Sequence, residues 1–175
     1  MKNAKEESLC AILLALALAL SYAERFIPLQ MMIPLPGIKL GLANIVTLVA
    51  LYLLKTRYAF LILVPRCCLT AAFGGGATGF WFSLCGGLLA IAVMAAAKKT
   101  RFFSVYGVSV LGAAAHNIGQ ILAALVLMNS VYVGAYLPYL LMVSIATGLL
   151  TGSICAGVLR VLPKARIALQ AGGER

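Results

Sequence analysis

Acidic residues are nearly absent from this sequence. The 175 residues include four carboxylate side chains, all of them glutamate, and no aspartate. Sites that hold Mg²⁺ for catalysis are usually built from such carboxylates. The sequence has one histidine as well, so few groups are available for general acid–base chemistry. We therefore expect no catalytic residues and no Mg²⁺-dependent reaction carried out by this chain alone.

Signals for metal and nucleotide binding are also missing. The five cysteines form no CxxC pair, and none stands near the histidine at the spacing of metal ligands. The phosphate-binding loop pattern GxxxxGKS or GxxxxGKT does not occur. We expect no metal site and no cofactor, and we interpret the cysteines as small hydrophobic residues.

What the sequence has in excess is apolar residues. Hydrophobic residues make up 63% of the chain and charged residues 10%, whereas roughly 25% of a soluble domain is charged. A soluble fold would lack the polar residues to cover its surface. Since a membrane-spanning helix needs about 20 apolar residues, the length allows about six spans. The composition therefore predicts an all-α polytopic membrane protein in contact with membrane lipid.

The apolar runs predict six helices, which together form a single transmembrane domain over residues 1–175. We predict spans at about 8–22, 40–54, 58–73, 79–97, 104–128 and 138–162. The first run could also be a signal peptide, with Lys2 and Lys5 before it and a small-x-small pattern at 21–23. Glu6 and Glu7 are unusual in the positive region of a signal peptide, so we interpret the run as a helix.

Basic residues predict the orientation in the membrane. With the N-terminus inside, Arg25 and Lys39 face outward and Arg66 lies within the membrane. The other eleven of the 14 basic residues are then cytoplasmic, as the positive-inside rule requires. An even number of spans places both termini in the cytoplasm. Because the basic residues stand in short groups between apolar runs, they indicate orientation and not nucleic-acid binding. The cytoplasmic residues are Lys2, Lys5, Lys55, Arg57, Lys98, Lys99, Arg101, Arg160, Lys164, Arg166 and Arg175.

Arg66 is the most unusual polar residue, because it follows Pro65 in the middle of the third predicted span. A charge at that depth costs at least roughly 2.5 kcal/mol unless it is paired or hydrated. No span contains a carboxylate, and Glu24 can serve only if the first loop folds inward. A bound anion is therefore a reasonable partner. The structural alternative is that Arg66 reaches water or bonds to helix-end carbonyls freed by Pro65.

Other polar residues inside the spans lie at a similar depth. His116 and Gln120 are four residues apart and share one face of the fifth span, and Asn44 lies early in the second. We predict a substrate pocket beneath the outer loops for a small anionic or amphipathic solute, whose apolar part Phe80, Trp81 or Phe82 could cover. Interhelical hydrogen bonds, worth about 0.6 kcal/mol each, are the structural alternative. The predicted substrate-binding residues are Lys39, Asn44, Arg66, His116, Asn117 and Gln120.

Small residues repeat at helical spacing in three places. Ala11, Ala15 and Ala19 form one stripe along the first span, and such stripes mark close helix contacts in membranes. Docking onto another membrane protein and internal packing both fit this stripe. For the glycine pairs Gly75/Gly79 and Gly148/Gly152, internal packing is the favoured interpretation.

Three stretches carry a resemblance to a known family. They are PLPGIKLGLAN at 34–44, FWFSLCGGL at 80–88 and AHNIGQ at 115–120. Together they resemble the bacterial membrane family called Gx transporter, which is also labelled heptaprenyl diphosphate synthase component I. The resemblance extends from the first span to the sixth.

This resemblance implies a transport function in the bacterial cell membrane. The family is similar to the S components of energy-coupling factor transporters, six-helix proteins with both termini in the cytoplasm. In such proteins an alanine stripe on the first helix docks onto a T-type transmembrane subunit, and a small-molecule substrate binds under the outer loops. Ala11, Ala15 and Ala19 match that stripe. Partner ATPases would then supply the energy.

The synthase label implies a different function. Prenyl diphosphate synthases bind Mg²⁺-diphosphate through aspartate-rich motifs, and this chain has no aspartate. The label thus implies at most a noncatalytic membrane subunit or anchor for polyprenyl diphosphate or quinone synthesis. An integral membrane enzyme is a third and weaker interpretation.

Overall fold

The computed structural model describes residues 2–26, 39, 41–100 and 102–161. These residues form helices and the turns between them, without β-strands, so the all-α prediction is confirmed for this part of the chain. Most of the proline-rich first loop lies outside the described residues, including positions 34–38 and 40 of the first family stretch. Outside them too lie the predicted cytoplasmic residues Arg101, Lys164, Arg166 and Arg175.

Six α-helices occur in the described residues, each at the position of a predicted span. A turn of 3-10 helix, Glu24–Phe26, follows the first helix, and another, Val131–Tyr136, precedes the last. The helices are α1 (Lys2–Ala23), α2 (Asn44–Leu53), α3 (Thr56–Thr70), α4 (Gly76–Thr100), α5 (Val105–Met128) and α6 (Leu137–Val161).

Helices α2 and α3 are shorter than the other four helices, and α3 is continued by α4 in one long helical segment. Four helical segments are long and apolar enough to cross a membrane: Ala4–Ala23, Thr56–Thr100, Val105–Met128 and Val131–Val161. By contrast, α2 has 10 residues, which span about 15 Å of a hydrocarbon core roughly 30 Å thick. The structure thus supports four membrane-crossing segments by length and composition, and six spans stay a prediction.

The segment Thr56–Thr100 contains two antiparallel helices. Its break is the turn Ala71–Gly75, in which Phe73 and Gly74 leave the helical conformation and Gly74 has φ of +100°. The side chain of Leu63 in α3 packs directly against the backbone of Gly87 in α4, although residues this far apart in a straight helix are separated by about 36 Å. A glycine fits the turn because positive φ carries no steric cost without a Cβ. Helices α3 and α4 therefore form a hairpin.

Three apolar clusters occur in the described residues, and two of them lie one above the other in the bundle. The larger of these two includes Leu13 of α1, Met94 of α4 and Val108 of α5. The smaller joins Phe82 of α4 to Ile121 of α5, together with residues at the start of α6. Along both α4 and α5, buried polar side chains lie between the two clusters. A polar layer thus separates two apolar layers inside the helix bundle.

Glycines set the close helix crossings beside that layer. A Cβ on Gly119 of α5 would come within 2.8 Å of the Gly86 Cα in α4. At the next crossing, a Cβ on Gly148 of α6 would come within 2.6 Å of the Val110 Cα. Gly152 lies against the same helix, so both glycines pack internally, as the sequence favoured.

Candidate functional site

The polar layer surrounds one small cavity. Side chains reach it from α1, the segment before α2, α3, α4 and α5. The residues that line it are Ser21, Glu24, Lys39, Gly41, Arg66, Cys67, Thr70, Ser83 and His116. Three of the six predicted substrate-binding residues, Lys39, Arg66 and His116, meet there although they come from three different parts of the chain.

Arg66 contributes the permanent charge of the site. The residue is 4% exposed, on a face of α3 that it shares with Thr70, four residues further along. Its Nη2 atom lies 4.0 Å from the Sγ of Cys67, a weak hydrogen bond for a group with five N–H donors. The Thr70 hydroxyl donates to the Arg66 backbone carbonyl at 2.6 Å. The guanidinium thus faces the cavity with donor capacity to spare within the described residues.

Lys39 connects the segment before α2 to the helices α4 and α5. Its Nζ donates to the Ser83 hydroxyl at 3.0 Å, and its backbone N–H donates to Oε1 of Gln120 at 3.4 Å. The predicted outward-facing cation is therefore drawn into the bundle.

His116 is held by Gln120 and by two glycines. The Gln120 side-chain oxygen accepts a hydrogen bond from Lys39, so the Gln120 amide nitrogen is the atom that faces His116. This nitrogen donates to Nε2 of the imidazole at 2.8 Å. The imidazole is then neutral, with its hydrogen on Nδ1. A Cβ on Gly41 would come within 3.0 Å of the ring, and one on Gly86 within 2.9 Å. Two positions without side chains make the space that the ring fills.

Glu24 is a component of the site that the sequence did not place there. It stands in the turn after α1, is 5% exposed, and accepts the backbone N–H of Leu42 at 2.6 Å. Arg66 and Lys39 lie close enough for their charges to act on the carboxylate. Burial raises the pKa of Glu24, and the hydrogen bond from Leu42 and the two cations oppose that shift. The turn at the end of α1 thus places the Glu24 side chain inside the bundle, where it can compensate Arg66.

Cationic and carboxyl side chains are unequal in number around the cavity. The described lining residues include two cationic side chains, Arg66 and Lys39, and one carboxylic acid, Glu24, so cations outnumber carboxyl groups there. A buried net charge is costly without a counter-ion. Binding of one anionic group would therefore reduce the net positive charge of the site.

The cavity is closed in this structure. Its volume of about 10 Å³ accommodates roughly one water molecule, whereas pockets for small molecules measure about 300–1,000 Å³. A solute of that size would fit only after the lining side chains move apart. The described residues therefore form a small polar cavity, and a substrate pocket stays a prediction.

The remaining predicted site residues lie beside the cavity. Gln120 touches it through His116 and Lys39. The Asn44 side chain is buried behind Gly41, and neither its amide nitrogen nor its oxygen finds a hydrogen-bond partner in the described part of the chain. Asn117 points elsewhere and donates to the Leu140 carbonyl of α6 at 2.9 Å.

The aromatic side chains expected to cover a ligand do not line the cavity. Trp81 is 47% exposed and stacks edge-on against Phe80. Phe82 is buried in the smaller apolar cluster. The neighbouring Ser83 reaches the cavity instead.

Helix α1 presents two different faces. Leu13, Ala17 and Ser21 are buried, and Glu24 continues the same face into the cavity. The predicted docking residues Ala11, Ala15 and Ala19 are exposed and lie about 200° around the helix from the buried ones. The alanine stripe consequently does not pack against the part of the chain that the structure describes.

Sequence reasoning missed several lining residues for identifiable reasons. Ser21 and Glu24 are three positions apart in the sequence, so they lie on the same helix face. Glu24 is also the one carboxylate that does not lie near either end of the sequence. That isolation was an available signal. Ser83, Thr70 and Cys67 gave none, since such residues are common in apolar helices.

Metal binding finds no support in the site. The described residues contain no group of three or more histidine, cysteine or acidic side chains arranged to hold an ion. The site is instead a cluster of hydrogen-bond donors with one carboxylate.

A comparison with protein families identifies the chain. The sequence model of the family described as heptaprenyl diphosphate synthase component I matches residues 13–158. The chain belongs to this family. The matched region contains every residue that lines the cavity, so the site is part of the family's shared domain. Among curated proteins and among solved structures, no match to the chain is found.

Proposed function

We propose that this family member is a membrane-embedded binding protein that captures a small anionic or amphipathic solute and passes it inward. The observation that carries the proposal is the buried polar layer, in which two cationic side chains, Arg66 and Lys39, share one small cavity with the single carboxyl group of Glu24 inside an apolar bundle. Groups this costly to bury in lipid usually serve a function. The unpaired amide of Asn44 beside the cavity adds further capacity for a polar ligand.

The proposal includes an arrangement in the bacterial cell membrane. Six spans with both termini in the cytoplasm place the polar layer beneath the outer surface. In this arrangement the 10 residues of α2 are too few to cross the membrane, and the second span also includes residues that precede the helix. The exposed alanine stripe of α1 supports docking onto a T-type transmembrane subunit, with ATPases as the source of energy.

The family description supports the same class of ligand. Its words name heptaprenyl diphosphate, a molecule with an anionic head and a long apolar tail. A cavity with excess positive charge, in a protein whose surroundings are apolar, suits such a molecule.

A second function is favoured by that description itself. The chain is then a noncatalytic membrane subunit or anchor for polyprenyl diphosphate synthesis, and its partner is another synthase component. The absence of aspartate argues against catalysis by this chain. Affinity purification from native membranes separates the two functions. A T-type subunit with ATPases among the co-purified proteins supports transport, and a soluble polyprenyl synthase supports the anchor.

Ligand binding can be tested with one variant and a matched pair of probes. We expect farnesyl diphosphate to raise the melting temperature of the purified protein in detergent, and farnesol, which lacks the charge, to have no effect. Because Arg66 grips an anion through parallel hydrogen bonds, Arg66→Gln should weaken binding at least about tenfold. Its melting temperature without ligand should change little.

Arg57→Gln serves as the control, since Arg57 is on the same helix but its side chain is 59% exposed. It should bind the probe like the unaltered protein. Intact binding in Arg66→Gln, combined with lower stability, would show that the arginine is structural. Mass spectrometry of the purified protein can then identify a co-purified ligand directly.

A further inference from the structure

Glu24 lines the same cavity as the two cations that the proposed ligand's anion would contact. Its carboxyl group is buried in the same cavity as Arg66 and Lys39, and both cations act on it electrostatically. The remaining volume of about 10 Å³ leaves no room for a second anionic group of any size beside it.

The same carboxyl group also holds the segment before α2 in place. Its Oε1 accepts the Leu42 backbone N–H at 2.6 Å. Leu42 stands directly after Gly41, whose φ of +82° makes the turn that brings this segment against His116. Glu24 thus connects the end of α1, the start of α2 and the cations on one side of the cavity.

We propose that Glu24 is an internal stand-in for the ligand's anion: its carboxyl group shares the cavity with Arg66 and Lys39, keeps the site closed while no solute is bound, and must move away when the solute binds. The inference rests on the proposed function and adds to it a residue that sets affinity and controls opening. A competing internal carboxylate lowers apparent affinity, because part of the binding free energy is used to displace it. It also makes the site selective for ligands that carry an anionic group.

The first test removes the charge while keeping the shape. Glu24→Gln retains an oxygen that can accept the Leu42 N–H, but it no longer compensates Arg66. We expect it to bind farnesyl diphosphate about tenfold more tightly than the unaltered protein, measured by titration in detergent. Glu7→Gln is the control: Glu7 is exposed on the same helix, about 25 Å away along its axis, and the substitution should leave affinity unchanged.

The second test needs no ligand. Cys67 lines the cavity and is 1% exposed, so its reaction with a small maleimide reports opening. Glu24→Ala removes both the charge and the acceptor for Leu42, and it should increase labelling of Cys67 several-fold in the empty protein. Peptide mass spectrometry distinguishes Cys67 from the exposed Cys68, whose labelling should stay constant.

The outcomes separate the two proposals. If the unaltered protein binds the probe and Glu24→Gln binds it equally or more weakly, the stand-in role is wrong and the binding function stands. Binding by Glu24→Gln alone would support both. If neither protein binds, the ligand class is wrong, and the Cys67 experiment decides the role of Glu24 in closure: unchanged labelling in Glu24→Ala overturns it.

Discussion

At the scale of single residues, the buried carboxylate predicts a pH dependence of stability. Burial raises the pKa of Glu24 above the ordinary value of 4.5, so the folded protein favours the protonated form more than the unfolded chain does. The free energy of unfolding should therefore fall as pH rises from 4.5 through the raised pKa. Glu24→Gln should lose this part of the slope. Melting temperatures in detergent between about pH 4 and 8 provide the measurement. Equal slopes in the two proteins would contradict the prediction, and Glu7→Gln should retain the slope of the unaltered chain.

The same scale shows what single residues reveal before a structure exists. Arg66 and His116 were predictable because charge or an imidazole inside an apolar run demands an explanation, and both line the cavity. Asn117 looked equivalent to His116, but adjacent helix positions differ by about 100°, and its amide reaches α6 instead. Glu24 was missed because it lies just past a helix end, where a carboxylate ordinarily meets water. Its contact with Leu42 depends on a turn that no local pattern encodes.

At the scale of elements, α1 should act as a docking helix with its exposed side. Ala15→Leu adds bulk on the face opposite Leu13 and Ala17, where Ala15 is exposed among the described residues. We expect the variant to keep its melting temperature and to lose co-purification with a T-type subunit, because close helix approach needs small residues. As a control, Ile12→Leu changes an exposed residue that is already large and should preserve association. Co-purification of Ala15→Leu with that subunit would mean that the stripe faces only lipid.

Element positions followed from the sequence more readily than element lengths. Apolar runs and basic stops located all six helices of the described residues, since both features are local. The shortness of α2 was not foreseen, because the apolar residues from 40 to 43 suggested a longer helix. In the structure the turn at Gly41, with φ of +82°, delays the helix until Asn44. That turn is stabilised by contacts to α1 and α5, which are distant in sequence.

At the scale of the whole molecule, the proposed orientation predicts which surfaces reagents can reach. Lys99→Cys, at the exposed end of α4, should react with a membrane-impermeant maleimide only after cells are opened. Tyr132→Cys, at a position 88% exposed between α5 and α6, should react in intact cells. Native cysteines are distinguished by peptide mass spectrometry. Labelling of Lys99→Cys from outside would show that the proposed orientation is wrong. The solute would then enter from the opposite side of the membrane.

The fit of His116 between two glycines also has an evolutionary consequence. A side chain at position 41 or 86 would collide with the imidazole, and a smaller residue at position 116 would leave a void next to buried charges. None of the three positions can change alone without loss of stability or of the site. Family members should therefore vary at these three positions together, so that the trio is inherited as a unit. Members that carry a different trio would be expected to differ in the solute they accept.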